Sequence, residues 1–383
     1  MDDQRHIAAY YYPQLDALRG ILAFSVLLSH YLKAYGAPWP LNRAAFINPS
    51  IFHFFLEGDS AVCCFFVLSG FVLSIRSFRA GATPPRFWPN FLMARLFRIY
   101  PAYLFCLVLG GLLYGLTTTF GLLGLQTIPP QGAWTQALWL ESIHIKDVLL
   151  EMNLFAMADR ITILPQSWSL SVEIVLSMLI PFGVMITQRS RWLLIFSVLG
   201  LVVIGGSRFL IHFAFGILVA QNLSSLEACM QKCAWRRWMM ATISITSLLS
   251  GEYFLAGPLR LSPGMVSGLG AALLLIFALT SRSFEKGMSH RGLVFLGKVS
   301  YSLYLTHFMV VIALTPLFLR WLSMPLKQLT WAWWLGLFFT SGLSLLLSFA
   351  IHRWIERPGI AAGKKLTARI NAFKDMSFLE HSA

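Results

Sequence analysis

An arginine and a histidine share one face of the first long apolar stretch of the sequence. The stretch covers residues 15–35 and carries Arg19 and His30, eleven residues apart. At about 100° per residue, eleven helical residues make three turns plus roughly 20°, which places both side chains on one face, roughly 16 Å apart along the axis. Ionisable groups at membrane depth are costly and usually functional. The spacing predicts a permanent cation near one membrane surface and a titratable imidazole near the other. The alternative is an arginine that reaches the head groups and a histidine packed between helices.

Two further arginines, Arg95 and Arg98, are spaced i,i+3 and therefore occupy one helical face. They lie in the most basic loop, and Arg19 begins its own helix at the same membrane depth. Because guanidinium groups bind phosphate bidentately, three of them together would hold a polyanionic cofactor that enters from the cytoplasm. The alternative is ordinary anchoring of a basic loop to anionic lipid.

A carboxylate follows a tryptophan near the outer end of the fourth apolar run. Trp168 begins the motif, and Ser169 and Glu173 are spaced i,i+4 on one face. His30 is expected at a similar depth, and an imidazole that a carboxylate orients is the usual arrangement of a general base. We therefore predict that Glu173 orients His30; a glutamate that is solvated at the interface or caps its helix is the alternative.

Two other motifs combine small or aromatic residues with groups that could do chemistry. Ser69 and Gly70 lie inside an aromatic run, where small residues let helices approach closely; this use is favoured over a nucleophilic serine. Tyr304 and His307 share one face at i,i+3. His307 either lines a cavity together with His30 or is a satisfied core histidine, and the sequence leaves both interpretations open.

The composition is that of a polytopic membrane protein, with 57% hydrophobic and 12% charged residues. The net charge of +14 does not indicate nucleic-acid binding, because the basic residues lie between apolar stretches and form no basic domain. All five cysteines are predicted to be structural and no metal site is expected: Cys63, Cys64 and Cys106 lie in apolar runs, and the Cys229/Cys233 pair has no second pair.

The sequence predicts an all-α fold with about ten transmembrane helices. Ten runs approach the ~20-residue spanning length; they are 15–35, 58–77, 97–118, 168–187, 191–206, 208–223, 237–256, 264–282, 293–319 and 329–352. Of the thirty lysines and arginines, twenty-one fall in one set of loops, eight in the other, and Arg19 within the first helix. This asymmetry predicts that both termini are cytoplasmic. No cleavable signal peptide is recognised, so the first helix is expected to be retained.

One membrane domain is predicted to occupy nearly the whole chain, over residues 15–358. A short cytoplasmic N-terminus (1–14) precedes it, and a short basic cytoplasmic tail (359–383) follows. Two outer segments, 36–57 and 120–166, are too long for simple turns. The second contains Glu151 among its acids, which we expect to be exposed. Its part over 134–157 is predicted to form helices on the outer surface that cover a cavity, with an extra span as the alternative.

Five motifs in this order resemble the integral-membrane acyltransferase family three. They are LDALRGILAFSVLLSH, FFVLSGFVLS, RLFRIYP, WSLSVE and LGKVSYSLYLTH. The resemblance implies a ten-helix core and an Arg-x10-His motif borne by Arg19 and His30. It also implies an Arg-x-x-Arg element associated with acyl-CoA, on Arg95 and Arg98, and a Trp-Ser-Leu-x-x-Glu element that ends at Glu173. The stretch before Ser69 departs from the Gly-rich, Val-Asp-Leu pattern of relatives, which leaves Glu57 and Asp59 without an implied role.

The residues and the resemblance together predict an O-acyltransferase of the bacterial inner membrane. Relatives acylate O-antigen, exopolysaccharide, peptidoglycan, nodulation factor or macrolides, and they favour acetyl over longer acyl groups. We expect acyl-CoA as the donor substrate, no permanently bound cofactor, and a sugar or lipid-linked glycan outside the cytoplasm as the acceptor. Other expected partners are the lipid bilayer and possible polysaccharide-assembly proteins. The candidate site residues are catalytic His30 and Glu173, donor-binding Arg19, Arg95 and Arg98, and supporting Asp16, Ser69, Gly70, Trp168, Ser169, Tyr304 and His307. The alternative function is a transporter or exporter of a lipid-linked glycan; it is disfavoured because no inverted repeat is detected.

Overall fold

A computed structural model of the chain describes most of its residues. The described ranges are 11–36, 58–80, 88–119, 139, 143–155, 163–205, 207–232, 234–250, 263–322 and 330–380. Within these ranges the regular structure is entirely helical, which confirms the predicted all-α class.

Sixteen α-helices and two π-helical turns follow one another within those ranges. The helices are α1 (Pro13–Tyr35), α2 (Gly58–Ala80), α3 (Trp88–Thr119), α4 (Ile145–Glu151), α5 (Ser167–Arg189), α6 (Arg191–Val203), α7 (Leu210–Gln221), α8 (Leu223–Gln231), α9 (Ala234–Ser250), α10 (Pro263–Thr280), α11 (Arg282–Met288), α12 (Arg291–Lys298), α13 (Ser300–Met309), α14 (Thr315–Trp321), α15 (Thr330–Ile351) and α16 (Arg357–Glu380). The π turns are Val310–Leu314 and His352–Glu356.

Six helices in the described part of the chain are long and apolar enough to cross a membrane. Two further pairs, α7 with α8 and α10 with α11, would make eight if each counts as one span, but they are bent by 70° and 89°. The ten-span count and the cytoplasmic termini stay predictions. We name the two ends of the bundle after α1: its first turns mark the Arg19 end and its last turns the His30 end.

The second outer segment contributes a short helix rather than a span where it is described. The seven residues of α4 rise only about 10 Å, far less than a bilayer core. This length agrees with a helix on the surface; residues 134–138, 140–142 and 156–157 lie outside the described ranges.

Close glycine contacts fix α1 and α2 against their neighbours. A Cβ on Gly20 would lie 2.5 Å from the backbone nitrogen of Gly297, so α1 and α12 touch backbone to backbone at the Arg19 end. A Cβ on Gly70 would collide with the carbonyl oxygen of Phe213, so α2 and α7 are equally close. The predicted packing role of the small residues beside Ser69 therefore has a specific partner, α7.

Each π turn ends two residues before a proline. Pro316 follows the first turn and Pro358 follows the second. A proline within a helix lacks the N–H group and its ring meets the carbonyl four residues earlier. A π turn opens the helix at that place, and the first one begins three residues after His307.

The C-terminal segment, which the sequence predicts to be a short basic tail, is helical where it is described. The helix of the last span continues through the second π turn into α16, which ends at Glu380. Gly359 and Gly363 rest against α3, because Cβ atoms there would lie 2.8 Å from Pro101 and 2.6 Å from Phe97, respectively. Small residues four apart let the two helices approach. The helix thus runs through residue 359, and the assignment of 359–383 as a basic cytoplasmic tail stays a prediction.

Three of the cysteines, Cys63, Cys64 and Cys106, are buried among apolar side chains of the core. This burial agrees with a structural role. Cys233 lies outside the described ranges.

Candidate functional site

Three arginines from two helices lie together toward the Arg19 end. Arg19 interacts electrostatically with four charged side chains, which are Arg98, Glu173, Asp16 and Arg95. The Nε atoms of Arg19 and Arg95 are buried and have no hydrogen-bond partner within the described ranges. Buried N–H groups are nearly always paired in folded proteins. Two unmet donors beside a third guanidinium are therefore suited to an anionic ligand.

The carboxylate of Glu173 belongs to this arginine cluster. Its Oε1 accepts from Arg95 Nη2 at 2.6 Å and from the Ser69 hydroxyl at 3.1 Å. The side chains of Arg95 and Glu173 are only 10% and 18% exposed, so the ion pair is largely withdrawn from solvent. The predicted partnership of Glu173 with His30 is thus corrected: a buried carboxylate needs a cation to offset its desolvation, and Arg95 supplies it.

A second histidine is hydrogen-bonded to His30. His30 Nδ1 lies 2.8 Å from His307 Nε2. The ring planes differ by 8° and the centroids are 5.0 Å apart, so the rings meet edge to edge through one shared hydrogen bond. His307 is fully buried, and it lies beside His30 rather than packed alone in the core. The geometry favours a satisfied core histidine over one that lines a cavity, because both ring nitrogens of His307 have partners and His307 does not line the cavity that His30 lines.

A backbone carbonyl fixes how the two imidazoles share their protons. His307 Nδ1 lies 3.2 Å from the carbonyl oxygen of Leu303, which can only accept. The proton of a neutral His307 is therefore assigned to Nδ1, and its Nε2 accepts the hydrogen bond from His30 Nδ1–H. This tautomer leaves the lone pair of His30 on Nε2, the nitrogen that a general base uses.

A cavity of about 120 Å³ opens beside this pair at the His30 end. Its lining consists of Val26, His30, Lys33, Gly58, Asp59, Val62, Pro165, Gln166, Trp168, Tyr304 and Phe308. Tyr304 is held by its hydroxyl, which lies 2.7 Å from the Ser169 hydroxyl. The lining reaches inward to Val26 and includes none of the three arginines, so a passage from the cavity to Arg19 stays a prediction.

A family model described as an acyltransferase domain matches residues 12–353, which is most of the chain. The chain belongs to acyltransferase family three. The resemblance drawn from the five motifs is confirmed, and the apolar helices agree with a membrane acyltransferase. No curated protein and no solved structure matches the chain.

In this acyltransferase, the segment that leads into α5 is held by a carboxylate that the sequence predicted to be exposed. Glu151 is only 3% exposed, and its two oxygens accept from the backbone N–H groups of Ile163 and Leu164 at 2.9 and 2.8 Å. The Tyr103 hydroxyl on α3 also donates to the carbonyl of Glu151. The expectation of an exposed acid is therefore wrong. Glu151 ties α4 to the segment that leads into α5 and so helps place Trp168 at the cavity.

Gln166 is a cavity residue that was not among the candidates predicted from the sequence. It lies immediately before α5, is 3% exposed, and donates through Nε2 to the carbonyl of Leu305 at 3.0 Å. The signal in the sequence is weak, since a glutamine after a proline at a helix start is common. Its importance depends on α13 lying alongside, which no local pattern shows.

Proposed function

We propose that this membrane acyltransferase moves an acyl group, acetyl by preference, from acyl-CoA to a hydroxyl group of a glycan. The observation that carries the proposal is the placement of two different chemistries on α1. Arginines with unmet donors lie around its Arg19 end, and an imidazole beside a cavity lies toward its His30 end.

The arginine cluster is the proposed binding site for the phosphates of acyl-CoA. Arg19, Arg95 and Arg98 supply three positive charges, and the carboxylates of Glu173 and Asp16 offset part of them. The roughly 16 Å of helix axis between Arg19 and His30 is about the reach that an extended pantetheine arm needs to bring its thioester to the imidazole. Glu173 is then a positioning residue that holds the Arg95 side chain, rather than the partner of the base.

His30 is the proposed general base. Its Nε2 takes the proton of the acceptor hydroxyl as the oxygen attacks the thioester carbonyl, and His307 stabilises the charged ring through the shared hydrogen bond. The bond from carbon to sulfur then breaks, and the CoA thiolate leaves with the proton from the imidazolium. A direct transfer is favoured over an acyl-serine at Ser69, because Ser69 lies beside the Arg95–Glu173 ion pair and does not line the cavity beside His30.

The excess of lysine and arginine in one set of loops supports the proposed orientation in a bacterial inner membrane. It favours an orientation with the Arg19 end in the cytoplasm, where acyl-CoA is made, and the His30 end outside it. The acceptor is then an extracytoplasmic sugar or lipid-linked glycan.

The test compares glycan acetylation by wild type, His30→Gln and Arg19→Gln at matched abundance in the membrane. Mass spectrometry of surface glycans gives the readout in cells, and loss of thioester from labelled acetyl-CoA gives it for purified protein in lipid nanodiscs. Arg369→Gln, an exposed arginine on α16, is the matched control. We expect transfer to be lost in both site variants and kept in the control. Full transfer in either site variant removes that residue from the mechanism, and glycan flux without thioester loss would favour an exporter.

A further inference from the structure

The side chain of Gln166 has one satisfied end and one unsatisfied end. Nε2 donates to the carbonyl of Leu305 at 3.0 Å and lies 3.4 Å from that of Tyr304. Because both neighbours are acceptors, the NH₂ group must point toward them, and the assignment of the two amide ends is fixed. Oε1 is buried and has no hydrogen-bond partner in the part of the chain that the structure describes.

The unsatisfied oxygen belongs to a residue of the cavity beside His30. Gln166 and His30 both line this cavity. Its volume of about 120 Å³ is small enough that one sugar ring could contact both residues. A buried oxygen without a partner is costly, whereas a hydrogen bond from a ligand removes that cost. The atom that satisfies Oε1 must be a donor, since Oε1 can only accept.

The other polar groups of the cavity suit a ligand with several hydroxyls. Lys33 and Asp59 both line the cavity, where Lys33 interacts electrostatically with His30 and Asp59 with Tyr304. Lys33 can donate hydrogen bonds to a ligand there, and Asp59 can accept them. Trp168 adds an aromatic side chain to the wall. An aromatic side chain with a few convergent polar groups is typical of a site that fixes the orientation of a small ligand. An acyl chain or a simple alcohol would leave most of these groups unused.

We infer that Gln166 is an acceptor-binding residue whose Oε1 accepts a hydrogen bond from a second hydroxyl of the acceptor, next to the one that is acylated. This inference rests on the proposed function and adds a requirement to it. The acceptor must present at least two neighbouring hydroxyls, and the second is recognised without being modified. Lys33 and Asp59 at the cavity supply a donor and an acceptor for further hydroxyls.

The test measures binding of methyl pyranosides to the purified protein in lipid nanodiscs by saturation-transfer NMR. The best sugar of a gluco, galacto, manno and rhamno panel is compared with its monodeoxy analogues, on wild type and on Gln166→Met. We expect the variant and one deoxy analogue each to weaken binding about tenfold, and their combination to weaken it no further, because both remove one hydrogen bond. Asp59→Asn and Lys33→Gln are also expected to weaken sugar binding, while Lys146→Gln, an exposed lysine of α4 away from the cavity lining, is the matched control.

The outcomes separate this inference from the proposed function. Additive losses for Gln166→Met and every deoxy analogue would mean that the residue only supports the fold, and absent sugar binding would overturn the inference outright. Acetyl-CoA binding is measured in parallel and should be unchanged in Gln166→Met. If the coupled loss is found but no acetyl group is transferred, the binding of a sugar hydroxyl by Gln166 stands and the proposed function fails.

Discussion

The two ends of α1 treat buried polar groups in opposite ways. At the Arg19 end, charged groups gather, and one carboxylate is neutralised by an arginine at 2.6 Å. At the His30 end, the contacts are hydrogen bonds among neutral groups: two imidazoles, a backbone carbonyl and two hydroxyls. The unpaired buried atoms among the described residues also differ. At the Arg19 end they are the Nε donors of Arg19 and Arg95 together with Gln14 Oε1, whereas at the cavity beside His30 the unpaired atom is Gln166 Oε1.

The two guanidinium donors and the Gln166 oxygen indicate ligands of different hydrogen-bonding character at the two sites. Leftover donors on guanidinium groups suit an anion, whereas a leftover amide oxygen suits a hydroxyl. A substitution at one end that changed the binding of the other end's ligand would contradict this division. Three substitutions test the division, in order of decreasing expected effect.

The largest effect is expected from breaking the ion pair at the Arg19 end. Arg95→Leu leaves Glu173 as a buried charge without its partner and should cost about 3–5 kcal/mol of stability. The double variant Arg95→Leu with Glu173→Leu should recover much of this loss, because it removes both charges. Thermal unfolding followed by size-exclusion chromatography in detergent measures the stability.

Measuring acetyl-CoA binding by the same variants distinguishes a loss of stability from a loss of the donor-substrate site. The double variant should still bind acetyl-CoA poorly, since a phosphate contact has been lost. A double variant as unstable as Arg95→Leu would show that the pair is not energetically coupled, and one that binds acetyl-CoA normally would remove Arg95 from the donor site.

A smaller effect is expected from His307→Gln at the His30 end. Glutamine keeps a polar group near Leu303 but cannot stabilise a charged His30 ring as an imidazole does. We expect kcat to fall by about 10–100-fold, less than the 10²–10⁴ that a general base supplies, with KM for acetyl-CoA unchanged. Steady-state kinetics of the purified protein measure both, and a raised donor KM with normal kcat would contradict the separation of the two ends.

The smallest effect is expected where α16 supports α3. Gly363→Leu would push against Phe97, which lies between Arg95 and Arg98 in the sequence, and should raise KM for acetyl-CoA a few-fold while kcat changes little. Gly111→Leu and Gly115→Leu are matched controls on α3, since a Cβ at either position meets open space. An equal change in the controls would show that α16 does not position the arginine pair.

The sequence predicted the parts of the site that depend on spacing along one helix. Arg19 with His30, and Arg95 with Arg98, follow from the rotation per residue, and the structure brings the three arginines together. The predicted partner of His30, Glu173, was wrong, because the choice between Glu173 and His307 depends on how separate helices pack. Periodicity carries no information about that choice.

The burial of Glu151 and the bends between α7 and α8 and between α10 and α11 could not be predicted from the sequence either. Glu151 is an acid in an outer loop, and its burial depends on two backbone N–H groups twelve and thirteen residues later. The runs predicted over 208–223 and 264–282 end close to the bends after Gln221 and Thr280, but their hydropathy did not predict the short helices α8 and α11 that continue at 70° and 89°. Hydropathy measures the preference for the bilayer and is insensitive to the direction of the axis.

The π turn after His307 lengthens its span by one residue relative to an α-helical path. A homologous chain without that extra residue would keep the imidazole in place but rotate everything beyond it by about 100°. The 2.6 Å contact between the Thr315 and Thr340 hydroxyls would then be lost. A one-residue gap in this region, in a chain that also lacks the proline at position 316, would thus mark a relative whose last span is docked differently.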